Sequence, residues 1–158
     1  MRSLRFILVV GGMAVAPFAV AQDGHDAHAH GHDTHATASE RAPAPEKRWA
    51  VDAPLQSGMS KIRAAVEGLG HHELGHLDRK QVITLAAEID VQIRFLIENC
   101  KLDPKADAAL HGIIAQLLSA SKALQDAPAD AAPVATLRAA LNDYPRYFDD
   151  PKWLPIDD

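Results

Sequence analysis

Apolar side chains recur at three- and four-residue intervals in four separate stretches of this chain, with polar residues between them. That period belongs to helices that each turn one face to a core. The first stretch runs from about Pro54 to Leu69 and places Leu55, Met59, Ile62, Val66 and Leu69 on one seam. Asp52 stands where it can cap this helix, Pro54 suits a first turn, and Gly68 and Gly70 predict its end. The second stretch runs from Arg79 to Cys100. Asp78 and Gln81 are spaced as a capping box, Val82, Leu85, Ile89, Ile93, Leu96 and Cys100 share a face, and Val91, Phe95 and Ile97 are expected to widen it.

A third helix opens at Asp103-Pro104 and closes near Gln125. Leu110, Ile113, Leu117 and Leu124 form one stripe, and His111, Ile114 and Leu118 an adjacent one. The fourth follows Asp130, carries Pro133 in its first turn, buries Val134, Leu137, Leu141 and Tyr144, and is expected to stop at Pro145. The aromatic segment from Tyr147-Phe148 to Trp153-Leu154 is expected to fold over one end. No stretch shows strand alternation. Four helices with short links predict an all-α, up-down-up-down four-helix bundle over residues 49–158.

The N-terminal part reads differently. Arg2 and Arg5 precede an apolar run, Phe6 to Val20, interrupted by Gly11, Gly12 and Pro17 and ending in Ala19-Val20-Ala21. This is the pattern of a secretory signal peptide, residues 1–21, cleaved after Ala21. It predicts an exported, periplasmic protein that meets the membrane only through the uncleaved signal. Residues 22–48, rich in Ala, His, Asp, Thr and Pro, have no apolar period and predict a disordered tail. The formal charge of −5 becomes −7 once Arg2 and Arg5 are gone. An acidic chain without a basic patch excludes a nucleic-acid partner and suits cations. With a single cysteine, Cys100, no internal disulfide forms.

Candidate chemistry follows from the histidines. The segment HDAHAHGHDTH holds His25, His28, His30, His32 and His35 with Asp26 and Asp33 among them. Imidazoles spaced two and three apart on a flexible chain suit Cu(II), Ni(II) and Zn(II). Inside the bundle, Met59, Cys100 and His111 fall near the same end of three successive helices. Thioether, thiolate and imidazole form a soft donor set that selects Cu(I).

A third set, His71, His72 and His76, accompanies His72-Glu73-Leu74-Gly75-His76, which matches the H-E-x-x-H pattern of zinc peptidases. That pattern needs both histidines on one face of a regular helix. Here it falls between the first two helices, beside Gly70 and Gly75, and the continuation places Arg79 and Val82 where a metzincin carries Gly and His. A polar loop with at most a weak metal site is the expectation, and replacing Glu73 there should cost less than about 0.5 kcal/mol.

The segments RWAVDAPLQSGMSKIRAAVEGL and NCKLDPKADAALHGIIAQLL carry a resemblance. Through Trp49, Asp52, Pro54, Leu55, Gly58, Met59, Ile62 and Arg63, and then Asn99, Cys100, Leu102, Pro104, Ala106, Asp107, Leu110 and His111, the chain resembles small exported proteins of Gram-negative bacteria sometimes labelled DnrO-like. These join a signal peptide, a His-rich linker and a helical domain. The resemblance covers about residues 48–154 and implies the same fold and export, with no activity to transfer. The reading from the residues is a non-enzymatic transition-metal binder, most simply for copper buffering, storage or delivery, with metal ions and a periplasmic metal transporter or chaperone as partners. The alternative is a structural or partner-binding bundle without metal.

Overall fold

The computed structural model describes residues 43–156. The expected signal peptide and His25, His28, His30, His32 and His35 lie outside the described residues. The four helices are α1 (Ala53–Glu73), α2 (Arg79–Asn99), α3 (Pro104–Asp126) and α4 (Pro133–Tyr147). Each packs mainly against its neighbours in sequence, and α4 closes back on α1. The architecture is the up-down four-helix bundle expected from the periodicity. No helix among the described residues is long and apolar enough to cross a membrane.

The predicted seams are the core. Leu55, Met59, Ile62, Val66 and Leu69 of α1 are buried, as are Val82, Ile89, Ile93 and Leu96 of α2. They meet Leu110, Ile113, Leu117 and Leu124 of α3 and Val134, Leu137, Leu141 and Tyr144 of α4. Caps hold the helix starts. Asp52 Oδ1 accepts from Leu55 N at 2.8 Å. Asp78 and Gln81 form both halves of a capping box, each bond 2.8 Å. Asp103 occupies the N-cap of α3, but its side chain makes no capping bond.

Several boundaries differ from the sequence reading. Gly68 and Gly70 do not end α1, which continues to Glu73. The stop is Gly75, at φ 72°, a left-handed conformation that glycine adopts without a Cβ penalty. Gly75 N donates to His72 O at 2.9 Å and His76 N to His71 O at 3.0 Å. These two bonds form a Schellman closure of α1. Pro145 likewise does not stop α4, which runs on to Tyr147. So close to the helix end the proline forfeits a single backbone bond.

Val91, Ile97 and Leu118, expected to widen the buried faces, are exposed. Leu85 and Phe95 are half-buried against the core. Two-residue strands too short for any alternation were not foreseen: β1 (Trp49–Ala50) pairs in parallel with β2 (Phe148–Asp149), Trp49 opposite Phe148. Arg48 reinforces the pairing through Asp149 at 2.9 Å. The aromatic segment does cover one end, with Trp153 at 4.6 Å and Phe148 at 5.1 Å from Tyr144 between ring centres.

The approach of α1 to α2 is set at Gly58. A Cβ there would collide with Leu96 Cδ2 and lie 2.9 Å from Leu96 Cγ, and Leu96 is itself buried. At Gly70 a Cβ would meet nothing within 4 Å. Gly58→Ala should therefore destabilise the fold by about 1–3 kcal/mol through overpacking. Gly70→Ala should stabilise it by up to about 1 kcal/mol through helix propensity. Urea unfolding of both variants checks the opposite signs, and equal effects would place the α1–α2 contact elsewhere.

Candidate functional site

The three residues expected to share a soft metal site lie in different surroundings. Met59 is wholly buried on the α1 seam. Cys100 is the C-cap of α2, half-buried, with its backbone N–H bonded to Leu96 O at 3.0 Å. His111 is on the outer side of α3, its side chain 62% exposed. Its Nδ1–H donates to Asp107 O at 2.8 Å, one turn back on the same helix. A carbonyl only accepts, so Nδ1 carries a proton, and any metal would have to be met through Nε2 of the neutral ring. Cys100 and His111 line one small cleft of about 50 Å³ with Leu96, Ile97, Asp107 and Ile114, and Met59 is not part of its lining. The structure thus brings the thiol and the imidazole to one cleft and leaves the thioether in the core, because the helical seam that holds Met59 faces inward along its whole length.

The electrostatics of Cys100 oppose a thiolate. Burial pushes its pKa up from 9.0 to about 12, and the carboxylates of Asp52 and Asp107 add to the rise. A nucleophilic cysteine needs the opposite surroundings. Asp52 is fixed beside it by two backbone donors, Leu55 N at 2.8 Å and Lys101 N at 2.7 Å. Tyr144 belongs to the same end of the bundle. Its hydroxyl donates to Asp150 Oδ2 at 3.2 Å, and burial, followed by the charge of Asp150, raises its pKa well above the ordinary phenol value.

The H-E-x-x-H residues are at the opposite end. His71, His72 and Glu73 form the last turn of α1, not a loop. The rings of His71 and His76 lie 6.3 Å apart across the Schellman turn. His72 Nε2 is shut off from water without a hydrogen-bond partner. Among the described residues, no group of three or more His, Cys, Asp or Glu is placed to hold a metal ion. Of the three expected loop histidines, the helix end brings the rings of His71 and His76 together and leaves His72 Nε2 closed off from solvent.

Glu73 is not a free surface carboxylate either. It forms a two-pronged pair with Arg138 of α4, at 2.5 Å and 2.8 Å. The hydrogen bond from Arg138 holds its pKa below the ordinary carboxylate value. Sequence reading missed Arg138, for nothing local couples positions 65 residues apart. It also passed over Asp107, although the four-residue step from Asp107 to His111 is the helical contact distance.

No family model matches the chain, and no curated protein or solved structure matches it.

Two consequences are measurable. Glu73→Gln should lower stability by roughly 1 kcal/mol, since a two-pronged, partly buried ion pair exceeds the exposed kind. A change below about 0.5 kcal/mol would mean that the pair contributes nothing beyond ordinary surface contacts.

The pH dependence has two limbs. For Glu73, with its folded pKa lowered, stability is present above the unfolded value and is lost as pH falls through the folded one. For Cys100 and Tyr144, with folded pKa raised, stability is whole below the unfolded values and declines as pH rises. For Cys100 that window runs from 9.0 to about 12. Urea midpoints should therefore fall above pH 9, and Cys100→Ala should flatten that fall. The native thiol should also react with a disulfide reagent far more slowly at pH 8 than the urea-unfolded chain does.

Proposed function

We propose that this chain is an exported, periplasmic binder of borderline transition-metal ions, with copper first among them, that buffers, stores or delivers its ion without catalysis. The observation that carries the reading is the segment from His25 to His35, which gathers five of the chain's nine histidines among aspartates. Neutral imidazole is the donor that Cu(II), Ni(II) and Zn(II) share, and the acidic chain favours cations overall. The bundle acts as the folded body that carries this segment. Zinc and nickel are the competing ions at it, and a periplasmic metal transporter or chaperone is the fitting partner.

The donor chemistry favours Cu(II) over Cu(I). The half-burial of Cys100 and the carboxylates of Asp52 and Asp107 beside it disfavour its thiolate, and Met59 is closed inside the core. His111 adds one exposed imidazole on the bundle itself. Glu73 is committed to Arg138, which favours binding over peptide hydrolysis.

A second reading, a partner-binding bundle, draws on one observation: Ile83, Val91 and Ile97 of α2 and Leu118 of α3 are large apolar side chains left exposed.

Deleting residues 23–35 separates the two. Under the metal reading, the full chain purified without an affinity tag binds Cu(II), Ni(II) or Zn(II) in calorimetric titration, and the deletion removes most of that binding while the helical circular dichroism stays unchanged. Binding that survives the deletion undiminished overturns the assignment to this segment. A full chain that takes up none of the three ions leaves the partner-binding bundle as the reading.

A further inference from the structure

The closure of α1 brings two imidazoles together across one hydrogen bond. His76 N donates to His71 O at 3.0 Å and Gly75 N to His72 O at 2.9 Å, with Gly75 at φ 72°. A Schellman turn sets the third-last helical residue beside the one just past the glycine, and an apolar contact between their side chains frequently accompanies it. In this chain those two places are taken by His71 and His76, ring centres 6.3 Å apart and planes 29° from parallel. We infer that His71 and His76 form a two-imidazole site for one borderline divalent ion, Ni(II), Zn(II) or Cu(II), on the folded bundle. The site is separate from the segment His25 to His35 and does not rest on metal binding there.

Distance and donor chemistry agree with that occupant. A metal about 2.0–2.1 Å from an imidazole nitrogen stands roughly 3 Å from the ring centre, so two rings at adjacent positions on one ion have centres roughly 4.5–5 Å apart. From 6.3 Å, about 1–2 Å must be closed, within the swing of two exposed side chains. The backbone need not move, because the bond from His76 N to His71 O already joins the two residues. Among the described residues neither ring nitrogen is engaged in a hydrogen bond or ion pair. Imidazole is the donor that these ions share, whereas hard ions such as Mg(II) prefer oxygen.

The surroundings limit the site to two protein donors. His72 keeps its Nε2 closed off from water. The carboxylate of Glu73 is held by Arg138 at 2.8 Å, and that of Asp78 caps α2 through Gln81 N at 2.8 Å. Water therefore completes the coordination. An ion with open positions exchanges more readily than one in a closed four-ligand site. The spacing that matters around H-E-x-x-H is then five residues, His71 to His76, rather than the four from His72 to His76.

Urea unfolding of the full chain with Ni(II) at about 1 mM tests the site, at about pH 7.5, where imidazole is mostly neutral. An ion raises the midpoint only when the folded state binds it more tightly than the unfolded state, so donors that folding does not assemble are silent in this readout. Ni(II) should raise the midpoint by about 0.5 M, and Mg(II) at the same concentration should not. His71→Gln and His76→Gln replace exposed side chains and leave the backbone closure in place. Each alone should remove most of the Ni(II) response, and the double variant should remove little more, because one imidazole of a chelating pair holds the ion weakly by itself. His72→Gln should retain the response. No rise with Ni(II), an equal rise with Mg(II), or a response lost equally in His72→Gln would overturn the inference. So would a response that survives either single variant or that each merely halves. Calorimetric uptake of Ni(II) without a midpoint rise would overturn it while leaving the reading of the histidine segment intact. A midpoint rise lost in both single variants supports it even if deleting residues 23–35 leaves calorimetric uptake unchanged.

Discussion

One carboxylate governs how the ends of this bundle meet. Asp52 gives one oxygen to Leu55 N, the first turn of α1, and the other to Lys101 N, in the link between α2 and α3. The same side chain therefore starts one helix and fastens the exit of the next. It also stands beside Cys100, the C-cap of α2. Everything at this end is arranged around that placement. The strand pair β1–β2 brings Trp49 beside Phe148 immediately before Asp52, and the C-terminal segment folds down to place Asp150 on Gln56, one turn further along α1. A helix start that would otherwise be a frayed terminus is thereby tied down at both Asp52 and Gln56.

Placing carboxylates beside Cys100 and Tyr144 has an electrostatic consequence that shapes the chemistry available. Asp52 and Asp150 are half-buried, and each accepts from several donors: Asp52 from Leu55 N and Lys101 N, Asp150 from Gln56, Lys152 N and the Tyr144 hydroxyl. Cys100 and Tyr144 both hold their protons more firmly than usual. This end is built for packing and hydrogen bonding, and its cysteine is a small core-edge residue in an acidic setting. Across the bundle, Arg138 and Glu73 fasten α4 to the last turn of α1. The two ends are thus closed by different means, a shielded polar network at one and an ion pair at the other.

The helices and their buried faces were legible in the sequence because the seam of each, such as Leu55, Met59, Ile62, Val66 and Leu69, repeats a local period that a core enforces. Capping at Asp52 and Asp78 was legible for the same local reason. What was not legible is non-local. Gly68 and Gly70 have the composition of a helix end, yet α1 passes through both. At Gly68 a side chain would press on Leu85 at 3.3 Å, so the glycine there answers to a neighbouring helix. The pairing of Trp49 with Phe148 spans the whole domain and has no periodicity to betray it. Met59, Cys100 and His111 could be placed at one end by counting helical rise, but rise does not fix rotation about the axis. That rotation places Met59 inside and His111 outside.

The same distinction applies to the geometry of H-E-x-x-H in this chain. The motif binds zinc when four residues of uninterrupted helix carry the second histidine back over the first. In this chain the helix stops after Glu73, and Gly75 turns the backbone with φ 72°. The Schellman bond from His76 N to His71 O then spans five residues. It places the ring of His76 against His71, while the Nε2 of His72 faces inward. The glutamate, one residue before the C-cap, is drawn to Arg138 on a different helix. A single glycine in the left-handed conformation is enough to convert a ligand spacing into a helix terminus. The motif's residues are all present, and the backbone between them supplies a different geometry from the one the spacing assumes.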